Sequence, residues 1–213
     1  MHSIEDQLEW WQLPQPTPEE LQLSGGLQVE DWPHARHVAR LSLQLFAATE
    51  PLHRLDTKAQ RLLERAALLH NTGLLVEERR HHKHSFRLIK ETPLPDFSDE
   101  ERHEIACIAR YHRRALPSLA HEEYAVMSRP ARKRVSMLAA LLRIADALDY
   151  NHDARVLRLA SVPEECTRER WTIQLWTRPL ADLDEELDQA HEKADLFEKV
   201  FKRKLRFQIA AAE

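Results

Sequence analysis

This sequence predicts a mainly α-helical protein, a helical bundle followed by a small antiparallel β-β-α-β subdomain. Three observations predict it. Apolar residues recur at spacings of three and four from about residue 31 to 153. Two later segments, 155–161 (RVLRLAS) and 171–177 (WTIQLWT), alternate apolar and polar residues as half-buried strands do. An amphipathic helical stretch then carries Leu183, Leu187, Ala190, Ala194, Phe197 and Phe201, and alternation returns in 204–210 (KLRFQIA).

In chain order, residues 1–30 hold Pro14, Pro16, Pro18 and Gly25-Gly26 and read as an extended lead-in, with Trp10, Trp11 and Trp32 pinning parts of it to the body. The helical domain is expected over 31–153 and the small α/β subdomain over 154–213. Val38, Leu41 and Leu45 form the first apolar stripe. Asp56 is a candidate N-cap before Leu62, Leu63, Ala66 and Leu69, and Gly73 is expected to stop that helix. A segment over about 81–90 ends at Pro93 and Pro95. Ser98 with Glu101 three residues on is a capping box ahead of Ile105, Ile108 and Ala109. A last helix of the bundle, about 131–149, carries Val135, Leu138 and Leu142.

Composition narrows the function. With 43% hydrophobic and 31% charged residues, the chain can bury a core and remain soluble. It has no apolar run of spanning length. Two cysteines, Cys107 and Cys166, make no framework, so a reduced, cytoplasmic protein is expected. A net charge of -4 makes no general case for nucleic acid. Three glycines exclude Gly-rich phosphate loops, while thirteen histidines point to metal or acid–base chemistry.

The helical spacing places polar residues on apolar faces. His34 shares the stripe of Val38 and Leu41, His70 that of Leu62 and Ala66, His112 that of Ile105 and Ile108. Asp146 follows Leu138 and Leu142, with Asp149 one turn beyond. A buried carboxylate is costly unless paired. The spacing fits two arrangements equally, a divalent-cation site and a buried His–Asp hydrogen-bond network. His81, His82 and His84 read first as surface residues, His81 and His84 on one face and His82 pointing elsewhere.

The order of motifs HARHVARLSLQLF (34–46), LLHNTG (68–73), HHKHSFRLI (81–89), ARYHRRALP (109–117) and LLRIADALD (141–149) resembles the HD superfamily. The nearest likeness is the C-terminal HD-like region of the exopolyphosphatase/guanosine pentaphosphate phosphatase family, and KADLFEKVFKRKL (193–205) extends it. The resemblance implies that His34, His70, Asn71 and Asp146 hold a divalent metal ion (Mn, Mg or similar). Two-metal forms would add His81 or His84 and His112. It also implies that such a site polarises a phosphoryl oxygen and activates water. His112 or His84 would protonate a leaving group, and Lys83, Arg113 and Arg114 would face a phosphate.

Two departures bear on activity. Asn71 stands where the family pattern has aspartate; an amide oxygen can ligate but carries no charge and does not bridge two cations. The large N-terminal phosphatase fold of the exopolyphosphatase family is not expected in this length. The expected function is an HD-type phosphohydrolase acting on a nucleotide or polyphosphate-like anion, weakened by Asn71. The alternative is a non-catalytic phosphate- or nucleotide-binding module, or a regulatory docking partner. A homodimer or a separate phosphatase subunit is the partner class left open, with neither membrane nor specific nucleic acid expected.

Overall fold

A computed structural model describes residues 13–210. The helix α1 (Pro18–Leu23) lies inside the stretch expected to be extended. Thr17 and Glu20 close a capping box around Pro18 in its first turn, a start signal in the sequence that the neighbouring prolines obscured. Buried Arg36 holds this segment: its guanidinium donates to both Glu20 oxygens at 2.6 Å, to the Gln15 carbonyl at 2.8 Å and to the Leu13 carbonyl. Trp32, expected as an anchor, is buried at the start of the next helix. Trp10 and Trp11 lie outside the described residues.

The bundle follows as α2 (Trp32–Ala48), α3 (Glu50–His53), α4 (Thr57–Leu69), α5 (His81–Glu91), α6 (Asp99–Arg110), α7 (Glu122–Ala125) and α8 (Arg129–Ala147). Asp56 caps α4 through the Ala59 amide, and the Ser98–Glu101 capping box opens α6, both as expected. Asp31 caps α2 through the amide of His34, so the residue that starts the helix also orients its first turn. Helix α8 is the axis of the molecule and packs against α2, α4 and α6. Leu41, Leu62, Ile105 and Leu138 are fully buried in that contact, each contributing roughly 1.5–3 kcal/mol.

Gly73 acts differently from the helix stop expected of it. Helix α4 ends at Leu69, and Gly73 lies inside a 3-10 turn, Thr72–Leu75. The start of α5 rests directly on it: a methyl group there would meet the His81 carbonyl, the Ser85 amide at 2.5 Å and His84 Cβ at 2.8 Å. Ser85 Oγ ties the same junction, accepting from the Gly73 amide and donating to the His70 carbonyl. Asn71, just before this turn, has φ -104 and so lies outside the left-handed region.

The tail comprises β1 (Val156–Ser161), β2 (Arg170–Thr177), α9 (Asp184–Lys193), α10 (Asp195–Phe201) and β3 (Lys204–Ile209). The mainly α class with a small β subdomain stands, with one correction. β1 and β2 are antiparallel, but β2 and β3 are parallel, pairing Trp171 with Leu205 and Ile173 with Phe207. The reason is the connection: a helical crossover returns the chain to the end where β2 began, and a strand started there runs in the same direction. The single long helix expected here is broken at Ala194. Asp195 beyond the break turns its carboxylate to the Leu196 amide and to Arg143 of α8. Trp171 Nε1 donates to the Ala48 carbonyl, and Ala190, Leu196 and Phe197 are buried, so bundle and tail share one apolar cluster. Cys107 and Cys166 are free thiols, and among the described residues no helix is long and apolar enough to cross a membrane.

Candidate metal centre

Three ligand-type groups converge where α2, α4 and α8 meet. One ligand atom each from His34, His70 and Asp146 lies within 4.8 Å of the others. His34 comes from the first turn of α2, His70 from the residue ending α4, and Asp146 from the last turn of α8. His34 and His70 are buried, and the Asp146 side chain is 14% exposed at the floor of a cavity of about 1160 Å³.

The surrounding hydrogen bonds set the chemistry of each ring. His70 Nδ1 donates to the Ala67 carbonyl at 2.6 Å, which can only accept. The neutral ring therefore presents a lone pair at Nε2. That atom faces Asp146 Oδ1 at 3.2 Å, acceptor against acceptor. His34 Nδ1 donates to Asp149 Oδ2 at 2.8 Å, turning its Nε2 toward the same Asp146 oxygen at 3.5 Å. Neither Nε2 makes a hydrogen bond, and Asn71 Oδ1 close by in sequence is also buried without one. Two imidazole nitrogens and a carboxylate form a donor set that suits a divalent cation, which His34 would join on losing its proton. The residues therefore fit the ion.

Asp149 is the orienting group that the sequence marked only by position. It bonds His34 with one oxygen and the Ala154 amide at 2.9 Å with the other. His152 stacks on His34 at 3.6 Å and is held by Asp31, 2.8 Å away. Lys193 is the residue that sequence reasoning missed. Its Nζ donates to Asp146 Oδ2 at 2.7 Å from the last turn of α9, a helix that its apolar stripe alone marked in the sequence.

Of the other expected site residues, His81, His112 and Arg113 line the cavity with Asn71, Asp146 and Lys193. His112 Nδ1 donates to the Ala109 carbonyl, so its Nε2 accepts; it lies 3.1 Å from His81 Nε2. His81 Nδ1 lies between the Glu78 carbonyl at 2.9 Å and Arg113 Nη1 at 3.3 Å. The carbonyl requires a donor there and the guanidinium an acceptor, so Arg113 is placed to bias the tautomer of the pair.

His84, Lys83 and Arg114 are not brought to the cavity lining. His84 stands over Gly73 and turns to Glu77 at 3.2 Å. Lys83 is two residues round the helix from His81 and is exposed. Arg114, beyond the end of α6, is exposed and has φ 61. His82, expected at the surface with His81, is buried like it.

Burial and charge separate the histidines. Burial opposes a charge on His34, but the Asp146 and Asp149 carboxylates beside it outweigh that and raise its pKa to about 9. Burial pushes His37, His81 and His82 down to about 4. Burial would raise Asp146, yet Lys193, His34 and His70 hold it well below the usual carboxylate range. In the cation-free protein, the contribution of His34 is complete below about 6.5 and is lost as pH rises through 9. The three depressed histidines contribute fully above about 6.5 and lose that contribution as pH falls toward 4. Urea-unfolding stability should therefore peak near pH 6.5 and fall by several kcal/mol, roughly 1.4 per unit per group, by pH 4.5. A midpoint that stays level from pH 7 to 4.5 would contradict these assignments.

The fold and site together define a mainly helical domain that presents a buried His–Asp cluster to a polar cavity. The chain belongs to the family described as Ppx/GppA phosphatase, domain III, which it matches over residues 22–191. It is similar to guanosine-5'-triphosphate,3'-diphosphate pyrophosphatases. The one from Photobacterium profundum is 28% identical over 57% of this chain and 24% of its own length. The Pseudoalteromonas translucida protein is 44% identical over 26% and 11%, and a Vibrio cholerae protein 35% over 45% and 18%. The matched regions span at most about a quarter of these relatives. The family relation places the chain among phosphatase-related domains.

Proposed function

We propose that this domain is an HD-type phosphohydrolase that binds one divalent cation through His34, His70 and Asp146 and acts on a phosphorylated small molecule in the adjoining cavity. The observation that carries the reading is His70: its Nδ1 is committed to a carbonyl, so Nε2 faces the Asp146 carboxylate with no donor between them. A cation there turns that repulsion into ligation and supplies Lewis-acid polarisation of a phosphoryl oxygen. Asn71 adds a neutral oxygen at most, which favours one ion over two. Arg113 lines the same cavity and is positioned to hold a phosphate, and the His81–His112 pair is positioned to carry a proton for a leaving group.

The named relatives make a phosphorylated guanosine nucleotide the first compound to try, with linear polyphosphate second. The purified chain should retain or take up about one manganese or magnesium ion, measured by elemental analysis after dialysis. It should release phosphate from at least one member of such a panel only with the cation present. Asn71→Asp, which restores a carboxylate, should raise occupancy. A chain and an Asn71→Asp variant that both stay free of metal would overturn the cation site.

A second reading, a non-catalytic phosphate- or nucleotide-binding module, is favoured by the neutral Asn71 beside an otherwise intact cluster. It expects the same compounds to raise the melting temperature without being consumed.

A further inference from the structure

Lys193 is the unexpected charge at this site. It stands in the last turn of α9, a tail helix that packs on α8, and its side chain is 18% exposed at the cavity floor. Its ammonium donates to Asp146 Oδ2 at 2.7 Å, while Oδ1 of the same carboxylate faces His70 and His34. An ion held by His34, His70 and Asp146 would bind the opposite oxygen of a group that already carries a full positive charge. Two cations on one carboxylate repel each other strongly in a partly buried setting. Lys193 also confines Asp146 to a single free oxygen.

The same side chain has an alternative position. Lys193 borders the cavity that Arg113 lines, and its flexible stem can carry the ammonium from Asp146 into that space. An oxyanion in the cavity would stabilise it there. Lys193 therefore has two mutually exclusive partners, a protein carboxylate and an anionic ligand.

We propose that Lys193 is a tethered cation that competes with the divalent ion for Asp146 and is drawn off by an oxyanion in the cavity, so that cation and anion bind with positive cooperativity. This rests on the cation site of the preceding subsection and adds its control: an intrinsically weak metal site that tightens when a phosphate-like group arrives. Linkage makes the coupling reciprocal.

The test uses the full chain and manganese, with free Mn²⁺ read by electron paramagnetic resonance. Sulfate serves as a tetrahedral oxyanion that cannot be hydrolysed. Lys193→Met and Lys193→Gln should bind Mn²⁺ at least about tenfold more tightly than the native chain, while Lys193→Arg, which keeps the charge, should not. Sulfate should tighten Mn²⁺ binding severalfold in the native chain and lose that effect in Lys193→Met. If the native chain binds Mn²⁺ but the neutral variants bind it no better, or sulfate leaves native binding unchanged, the Lys193 proposal falls and the cation site stands. If native, Lys193→Met and Asn71→Asp chains all fail to bind Mn²⁺, the cation site falls too. The sulfate titration needs only native protein, so it decides the matter even if the neutral variants do not fold.

Discussion

Asp146→Ala is expected to eliminate stoichiometric cation binding and to lower any cation-dependent phosphate release by at least about 100-fold, a loss of roughly 3 kcal/mol or more of transition-state stabilisation. Asp146 is the only carboxylate among the three converging ligand groups, and both imidazole Nε2 atoms face its Oδ1. Two neutral histidines and an amide do not match a hard divalent ion without it. The fold should survive. Removing the carboxylate frees Lys193 to extend into the cavity, and it lets His34 return to a neutral ring still held by Asp149. Elemental analysis and circular dichroism on the same preparation separate the two effects. A folded Asp146→Ala protein that keeps one ion per chain would remove Asp146 from the site.

Gly73→Ala should be the most damaging small substitution for stability, with a loss of roughly 3–5 kcal/mol, toward the upper end of single-residue effects. The added methyl would meet backbone on two sides, the His81 carbonyl and the Ser85 amide, and backbone cannot swing aside as a side chain can. Relief requires α5 to move away from the 3-10 turn. That movement would break the Ser85 hydrogen bonds to Gly73 and the His70 carbonyl. It would also withdraw His81 from His112, so the site should suffer along with the melting temperature. Chemical denaturation measures the first effect and ligand-induced thermal shift the second. A Gly73→Ala chain with native stability would mean that α5 does not press on this turn.

The candidate site was legible in the sequence to the extent that helical periodicity determines direction. His34, His70, His112 and Asp146 each fall on an apolar stripe, and the helices turn those stripes inward. The starts of α4 and α6 were legible for a similar reason, since Asp56 and Ser98 bond amides only three residues away. Where local rules met a neighbour from elsewhere, they gave the wrong detail. His84 and Lys83 sit on a helix whose position is dictated by Gly73 and whose outer face is exposed. The direction of β3 depends on where the α9–α10 crossover delivers the chain, which alternation cannot encode.

The sequence by itself determined the helical bundle, its caps, the strand-forming tail and the inward set of histidines with Asp146, because each depends on residues within a turn or two of one another. Only the tertiary structure decided what those residues meet. Asp149 reaches His34 across 115 residues and orients its ring, and Lys193 reaches Asp146 across 47 and sets the charge an arriving cation would encounter. Such pairings are fixed by how helices pack in three dimensions, and no local periodicity carries them.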